Sequence, residues 1–152
     1  MSKAFTKEDD GKGADLPERA ISPHANLVTA EGLVQIEATI AQLSQVQKHA
    51  RTAEDPTTAA NAARDLRYWS ARRATAQLTE PKPSTQVQFG SRVTIKSPDG
   101  STRTYRIVGT DEADPAQGTL SYVSPLAQAL MGKETGDSVV IGGHEQEIVH
   151  VA

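Results

Sequence analysis

The stretch "VTAEGLVQIEATIAQL", residues 28–43, decides the fold of the first half of this chain. Its large apolar residues recur at steps of three, four and three, at Leu33, Ile36, Ile40 and Leu43. This spacing places them on one helical face and predicts a coiled-coil seam, a line of apolar side chains that packs against a second helix. Thr29 is positioned to cap the start of the helix, and the pattern continues to about His49. A helix of this kind requires a partner.

The partner is predicted in the next segment of the chain. The sequence "RTAEDPTT" interrupts the pattern, and Asp55 can cap a new helix that has Pro56 in its first turn. In the segment that follows, side chains again recur at three and four, at Ala59, Ala62, Leu66, Trp69 and Arg73. We therefore predict that residues 29–80 form an antiparallel helical hairpin, a coiled coil roughly 30–35 Å long.

The segments on either side of this hairpin have a different composition. Residues 1–28 are polar, contain Gly and Pro, and show little periodicity, so they predict a flexible N-terminal arm. Pro81 and Pro83 lie in "TEPKPST", which predicts a short stiff linker over residues 81–86.

After the linker, the hydrophobic period changes from about 3.5 to two. "QVQFGSRVTI" and "TYRIVG" alternate around the turn sequence "SPDGS", which is typical of a β-hairpin. "TLSYV" is a third predicted strand, Ser124 and Pro125 start a short helix, and two last strands join around Gly142-Gly143. Residues 87–152 thus predict an antiparallel sheet with one short helix, and the fold class of the chain is α+β.

Composition excludes several function classes. The 152 residues include no cysteine, which excludes disulfides and thiolate metal sites. The four histidines share no ligand spacing, so we expect no metal or other cofactor of the chain's own. No apolar run approaches the roughly 18 residues of a membrane span, and no signal peptide is evident. The expectation is a soluble, cytoplasmic monomer, and its net charge of −3 gives no overall attraction to nucleic acid.

The acidic pair Glu54-Asp55, in the predicted turn of the hairpin, has two interpretations. It can be a solvated turn in which Asp55 only caps the second helix. Alternatively, a carboxylate at the end of a long helical rod can be delivered into a narrow site, where it helps to hold a Mg²⁺ ion or a water molecule.

A cluster of arginines is the second candidate site, and it comprises Arg64, Arg67, Arg72 and Arg73. Arg64 and Arg67 are three residues apart and share a helical face, with Tyr68 and Trp69 beside them. Such a cluster is either a solvated helix face or, because guanidinium groups next to aromatic rings suit a backbone with unstacked bases, a surface for single-stranded RNA or DNA.

Several stretches in the second half resemble a known family. They are "FGSRV" at 89–93, "YRIVGTDEAD" at 105–114, "GTLSYVSPLAQALMGK" at 118–133, "GD" at 136–137 and "EI" at 147–148. In order and spacing they resemble the C-terminal domain of the bacterial GreA/GreB transcript-cleavage factors. "TAEGL" at 29–33 is similar to the start of that family's coiled-coil helix.

The resemblance implies an FKBP-like globular domain that docks on RNA polymerase, here through Ser124, Pro125 and Leu126. It also implies a coiled coil that enters the secondary channel of the polymerase. Acidic residues at the tip, here Asp55 assisted by Glu54, would then promote RNA cleavage by the polymerase itself. The Mg²⁺ ion belongs to the polymerase. If the arginine cluster is a surface for single strands, as its residues suggest, the nascent RNA would be its ligand.

The tip departs from the family pattern. The family resembles "GDxSENAxY" there, whereas this chain has "EDPTTAANA", with Asp55 at the first acid and Thr58 at the second. The hairpin is also shorter, as in Rnk-type relatives. We therefore expect a transcription elongation regulator that is not itself an enzyme, and that either stimulates cleavage or only occupies the channel.

Two alternatives stay open at this point. An FKBP-like domain also suggests a peptidyl-prolyl isomerase, which needs a pocket of aromatic side chains, and only Phe89, Tyr105 and Tyr122 are available in the second half. The hairpin could otherwise serve as an adaptor for a protein other than the polymerase.

Overall fold

The computed structural model describes residues 16–152, which fall into two units. The helical unit comprises residues 16–23 and Val34–Ala76, and the sheet unit comprises His24–Leu33 and Gln77–Ala152. The predicted α+β fold class, with a helical hairpin followed by a sheet that carries one short helix, is confirmed.

The hairpin consists of helix α1, Ala30–Thr52, and helix α2, Pro56–Thr75. The buried and half-buried positions of α1 include a complete heptad series, Leu33, Ile36, Ile40, Leu43, Gln47 and Ala50. An ion pair of 2.8 Å joins Arg73 Nη2, near the end of α2, to Glu37 Oε2, near the start of α1. An ion pair between the end of one helix and the start of the other requires the two helices to be antiparallel. The burial pattern of α1 confirms its predicted seam.

Helix α2 differs from the prediction at its last seam position. Ala62 and Arg72 are its two buried residues, whereas Arg73 is exposed. After the step of three from Leu66 to Trp69 a heptad continues with a step of four, to Arg73, whereas the structure buries Arg72, three residues after Trp69. Arg73, predicted on the inner face, instead reaches Glu37 at the surface.

The sheet of the second unit has five strands, in the order β5-β4-β3-β7-β6. Their bounds are Arg92–Lys96 for β3, Thr102–Val108 for β4, Thr119–Ser121 for β5, Ser138–Ile141 for β6 and His144–Val151 for β7. The predicted hairpin of β3 and β4 and the predicted pair around Gly142-Gly143 are both present. Helix α3, Pro125–Leu130, is the predicted short helix.

The sheet is mixed rather than purely antiparallel. Strand β5 lies parallel to β4, with Ile107 opposite Leu120, while the other three pairings are antiparallel. Parallel neighbours need a crossover rather than a tight turn. The segment between β4 and β5 supplies this crossover through two 3₁₀ turns, Thr110–Glu112 and Pro115–Gln117.

The sheet unit also includes residues that lie before the hairpin. Strand β1, Leu27–Val28, pairs in parallel with strand β2, Gln77–Leu78, and Val28 is only 1% exposed. Residues 24–28 therefore do not belong to a flexible arm as predicted, and strand structure begins before the predicted linker. Of the rest of the predicted arm, residues 16–23 belong to the helical unit, and residues 1–15 lie outside the described residues.

The core of the sheet unit lies between the sheet and helix α3. Its buried members are Val87, Phe89, Val93, Ile95, Tyr105, Ile107, Leu120, Ala127, Leu130, Val139 and Ile148. Ala127 and Leu130 come from α3, so burial of their side chains fixes this helix on the sheet. The ring of Phe89 meets that of Tyr122 edge-on, at 5.7 Å between centroids, just before α3 begins.

Candidate functional site

The turn between the two helices is a Schellman motif fused to a helix cap. The amide of Asp55 donates to the carbonyl of Ala50 at 2.8 Å, and the amide of Glu54 donates to that of Arg51 at 3.1 Å. These two hydrogen bonds satisfy carbonyls at the end of α1. Because Asp55 is also the N-cap of α2, only three residues, 53–55, lie between the two helices.

Glu54 has a left-handed backbone conformation, with φ of 57°, and is the only non-glycine residue with positive φ among residues 16–152. In a Schellman motif this position is usually a glycine, since a side chain is disfavoured there by steric contact with the backbone. The backbone at Glu54 is therefore locally strained, and a carboxylate stands where a glycine is usual.

Asp55 caps helix α2, as predicted. Its Oδ1 accepts a hydrogen bond from the amide of Thr58 at 3.1 Å. Hydrogen bonds from the side chain and the backbone of Thr58 hold the pKa of the Asp55 carboxyl below its ordinary value. Thr58, which stands where the resemblance would place a second acid, thus favours the ionised form of Asp55.

The tip presents two exposed carboxylates with different constraints. The Asp55 carboxylate is hydrogen-bonded to the first turn of α2, whereas Glu54 lies at the end of α1, where its backbone amide is hydrogen-bonded. No group of three or more His, Asp or Glu side chains within residues 16–152 is arranged to hold a metal ion. Chemically, the tip can add one oriented carboxylate oxygen to a site that another molecule completes.

The structure does not gather the four predicted arginines into one free basic surface. Arg64 contacts Asp65 at 3.2 Å, Arg67 contacts Glu18 at 2.7 Å, and Arg73 contacts Glu37 at 2.8 Å. Each of these three guanidinium groups thus has an acidic partner within the helical unit.

Arg72 is placed differently from the other three arginines. Its residue is 2% exposed, so the side chain lies inside the helical unit and is inaccessible to a nucleic acid in this conformation. The heptad spacing predicts Arg73 on the inner face, whereas the structure buries Arg72 and exposes Arg73, so the predicted nucleic-acid contact of Arg72 has no accessible side chain here.

The predicted docking corner, Ser124, Pro125 and Leu126, is the start of helix α3. Ser124 Oγ accepts a hydrogen bond from the amide of Ala127 at 3.3 Å, which confirms the predicted cap. Pro125 is exposed and Leu126 packs against the core, so the corner is rigid and partly apolar.

One contact of the sheet unit was not predicted from the sequence. The Glu112 carboxylate accepts hydrogen bonds from the amide of Thr29 at 2.9 Å, from its hydroxyl, and from the amide of Gly109 at 3.1 Å. Thr29 Oγ1 in turn accepts a hydrogen bond from the amide of Gly32 at 3.0 Å and so caps α1 as predicted. Glu112 thereby fixes the first turn of α1 in the sheet unit.

A signal for this contact was present in the sequence. "TAEGL" at 29–33 contains Thr29 and Gly32, and "YRIVGTDEAD" at 105–114 contains Gly109 and Glu112. Both stretches carry the family resemblance, although 83 residues separate Thr29 from Glu112. Gly32 has a packing reason as well, because a Cβ at this position would overlap the Glu112 side chain.

Comparisons with known proteins agree with this arrangement of the second half. The family described as "Transcription elongation factor, GreA/GreB, C-term" matches residues 82–151. Transcription elongation factor GreA of Nitratidesulfovibrio vulgaris is 47% identical over 72 residues, which cover 44% of this chain and 45% of that protein. Transcription elongation factor GreB of Neisseria meningitidis serogroup B is 38% identical over 95 residues, 58% of each chain.

The chain spans about half the length of the curated relatives that it matches. Among solved structures, GreA factor homolog 1 (Gfh1) of Thermus thermophilus is similar with a TM-score of 0.42 and 19% identity, over 85% of this chain and 99% of that one. Neither helix of the hairpin, nor any other helix within residues 16–152, is long and apolar enough to cross a membrane.

Proposed function

We propose that this chain is a transcription elongation regulator that binds RNA polymerase, because residues 82–151 match the GreA/GreB C-terminal domain family. The family match over the whole sheet beyond the linker is the observation that carries this proposal. In the proposed complex the chain acts as a monomer, in the cytoplasm, where it meets the transcribing polymerase.

The docking corner is the proposed contact with the polymerase. Helix α3 begins with a capped turn and is fixed on the buried core, so Pro125 and the exposed part of Leu126 are already held in place before binding. Rigid surfaces of this kind lose less entropy when they associate than loops do, which supports Ser124, Pro125 and Leu126 as the anchor.

The helical hairpin is proposed to act toward the secondary channel. Its tip delivers Asp55, already ionised and oriented by Thr58, with Glu54 as an assisting carboxylate. The proposed role of these groups is to add a hard oxygen ligand near the Mg²⁺ ion of the polymerase. The chain holds no cofactor of its own in this proposal, and the polymerase carries out any cleavage of the RNA.

A binding titration tests the target. Labelled full-length chain is mixed with purified core RNA polymerase and, in parallel, with an unrelated acidic protein of similar size. Saturable binding to the polymerase alone is expected. Equal binding to both proteins, or no binding to the polymerase, would reject the target and favour an adaptor for another protein.

A cleavage assay distinguishes stimulation from simple channel occupancy. A stalled, backtracked elongation complex is incubated with wild type or with Asp55→Asn, at low and at high Mg²⁺. If Asp55 acts at the metal, wild type shortens the RNA and Asp55→Asn does not, with the larger difference at low Mg²⁺. If neither protein stimulates cleavage while both bind, the chain regulates by occupancy.

A further inference from the structure

Residues 16–23, here called the strap, lie against helix α2 in the helical unit. Arg67 Nε and Nη2 donate hydrogen bonds to the two carboxylate oxygens of Glu18 at 2.8 and 2.7 Å. Arg19 Nη1 lies 3.4 Å from Asp65 Oδ1. The strap therefore makes a fork-shaped ion pair with the predicted arginine cluster.

The strap also covers the aromatic residues beside that cluster. The guanidinium carbon of Arg19 lies 3.9 Å from the centroid of the Tyr68 ring and 5.7 Å from that of Trp69. The two rings meet edge-on at 5.1 Å. The planar guanidinium of Arg19 thus lies over the Tyr68 ring, next to the Glu18 carboxylate that pairs with Arg67.

We propose that the strap is an autoinhibitory cover, which occupies a binding site for single-stranded nucleic acid on α2. The site consists of Arg67 and Arg64 for phosphates and of Tyr68 and Trp69 for bases. Glu18 takes the place of a phosphate, and Arg19 takes the place of a base. This regulation goes beyond binding to the polymerase and is independent of it.

The chemistry of the covered groups favours a nucleic acid over a peptide. The planar fork of arginine fits carboxylate and phosphate oxygens in the same two-bonded geometry. An aromatic face accepts a base of any identity, and base stacking adjacent to cationic side chains is how single strands are bound without sequence preference. Glu18 and Arg19 together imitate a nucleotide, since an anion and a planar stacking group stand in adjacent positions.

The contacts of the strap are suited to displacement. The side chains of Arg67 and Glu18 are 55% and 60% exposed, so their attraction is weakened by water and screened by salt. Two exposed ion pairs and one cation–π contact shift the covered-to-open equilibrium by roughly tenfold. A polyanion that brings several phosphates can overcome a bias of this size.

Two substitutions open the site without touching it. Glu18→Gln and Arg19→Gln, combined in the full-length chain, remove the ion pairs and the cation on Tyr68. Binding is measured by fluorescence anisotropy with a short labelled single-stranded RNA and with a DNA of the same sequence. The opened variant is expected to bind both roughly tenfold more tightly than wild type.

A matched control separates the site from overall charge. Glu37→Gln removes one negative charge as Glu18→Gln does, but it releases Arg73 and leaves the contacts of the strap with Arg67 and Tyr68 in place. Compared singly, Glu18→Gln is expected to raise the affinity and Glu37→Gln to leave it within about twofold. Adding Arg67→Gln to the opened variant should remove the gain.

Several results would overturn the proposal. Equal affinities of wild type and the opened variant would show that the strap covers no nucleic-acid site. Equal gains from Glu18→Gln and Glu37→Gln, or equal binding of duplex and single-stranded probes, would reduce the effect to charge alone. Tighter binding of core polymerase without any gain for RNA or DNA would mean that the strap covers a protein surface.

Discussion

Asp55 Oδ1 accepts a hydrogen bond from the amide of Thr58 at 3.1 Å, so one carboxylate both caps helix α2 and forms the acidic tip of the hairpin. The chain departs from the GreA/GreB tip pattern at Thr58, whose backbone amide orients the Asp55 carboxylate. Any residue other than proline at position 58 would supply this amide, so the departure removes a second acid and keeps the cap. A tip with one oriented carboxylate is the basis of the predictions that follow.

Asp55→Asn and Asp55→Ala should differ in stability but agree in function. Asparagine caps a helix nearly as well as aspartate, whereas alanine leaves the amide of Thr58 without its acceptor. We expect the Asn variant to keep the melting temperature of the wild type and the Ala variant to melt a few degrees lower, measured by circular dichroism. If Asn destabilises as much as Ala, the charge of Asp55 matters more than its hydrogen bond.

The pH dependence of stability should carry the signature of Asp55. Its folded-state pKa lies below the ordinary value of 3.8, so its contribution is complete above that pH and is lost as the pH falls through the folded pKa. Thermal unfolding of wild type and Asp55→Asn between neutral pH and strongly acid pH measures this contribution. The wild type should lose more stability than the variant on acidification, and parallel curves would contradict the prediction.

Glu54→Gly should stabilise the protein. The left-handed conformation with φ of 57° disfavours a side chain, and glycine removes that contact. We expect the free energy of unfolding to rise by about 1 kcal/mol, measured by urea denaturation. Glu54→Ala is the control, since it removes the carboxylate but keeps the Cβ. A gain of the same size in the alanine variant would assign the effect to charge rather than to the backbone.

Gly32 and Glu112 should be energetically coupled. Alanine normally stabilises a helix relative to glycine, but a Cβ at residue 32 would overlap the Glu112 side chain. Gly32→Ala should therefore lower the free energy of unfolding by about 1–3 kcal/mol. In a Glu112→Ala background the same substitution should be neutral or stabilising. Equal losses in both backgrounds, measured by urea denaturation, would show that the two positions do not interact.

Local patterns were the part of the fold that sequence could predict. The heptad from Leu33 onward, the caps at Thr29, Asp55 and Ser124, and the β-hairpins depend on residues a few positions apart. The pairing of Leu27–Val28 with Gln77–Leu78 has no such periodicity, because two-residue strands are shorter than any detectable alternation. The parallel pairing of β5 depends on a crossover whose 3₁₀ turns leave no pattern of their own.

The candidate site was predictable to a similar extent. Asp55 and Glu54 could be placed in the turn because Pro56 marks the start of α2. The burial of Arg72 could not be predicted, since one residue of helical rotation decides between it and Arg73. The pairing of Glu18 with Arg67 spans 49 positions through exposed charges, which follow no repeat.

The docking corner allows the most direct test of polymerase binding by the sheet unit. Pro125 starts α3 after the cap Ser124, and Pro115 likewise starts a 3₁₀ turn after the cap Asp114. Neither proline has an amide N–H to lose, and the first position of a helix or turn needs no such donor, so Pro125→Glu and Pro115→Glu should both fold. The two variants therefore carry the same chemical change on two different corners.

Competition of each variant with labelled wild-type chain for core RNA polymerase is the deciding measurement. A charge in the middle of a partly apolar contact should weaken binding by roughly tenfold or more. We predict this loss for Pro125→Glu and an unchanged affinity for Pro115→Glu. Equal competition by both variants and wild type would contradict docking through Ser124, Pro125 and Leu126, and failure of wild type itself to bind would contradict the proposed function.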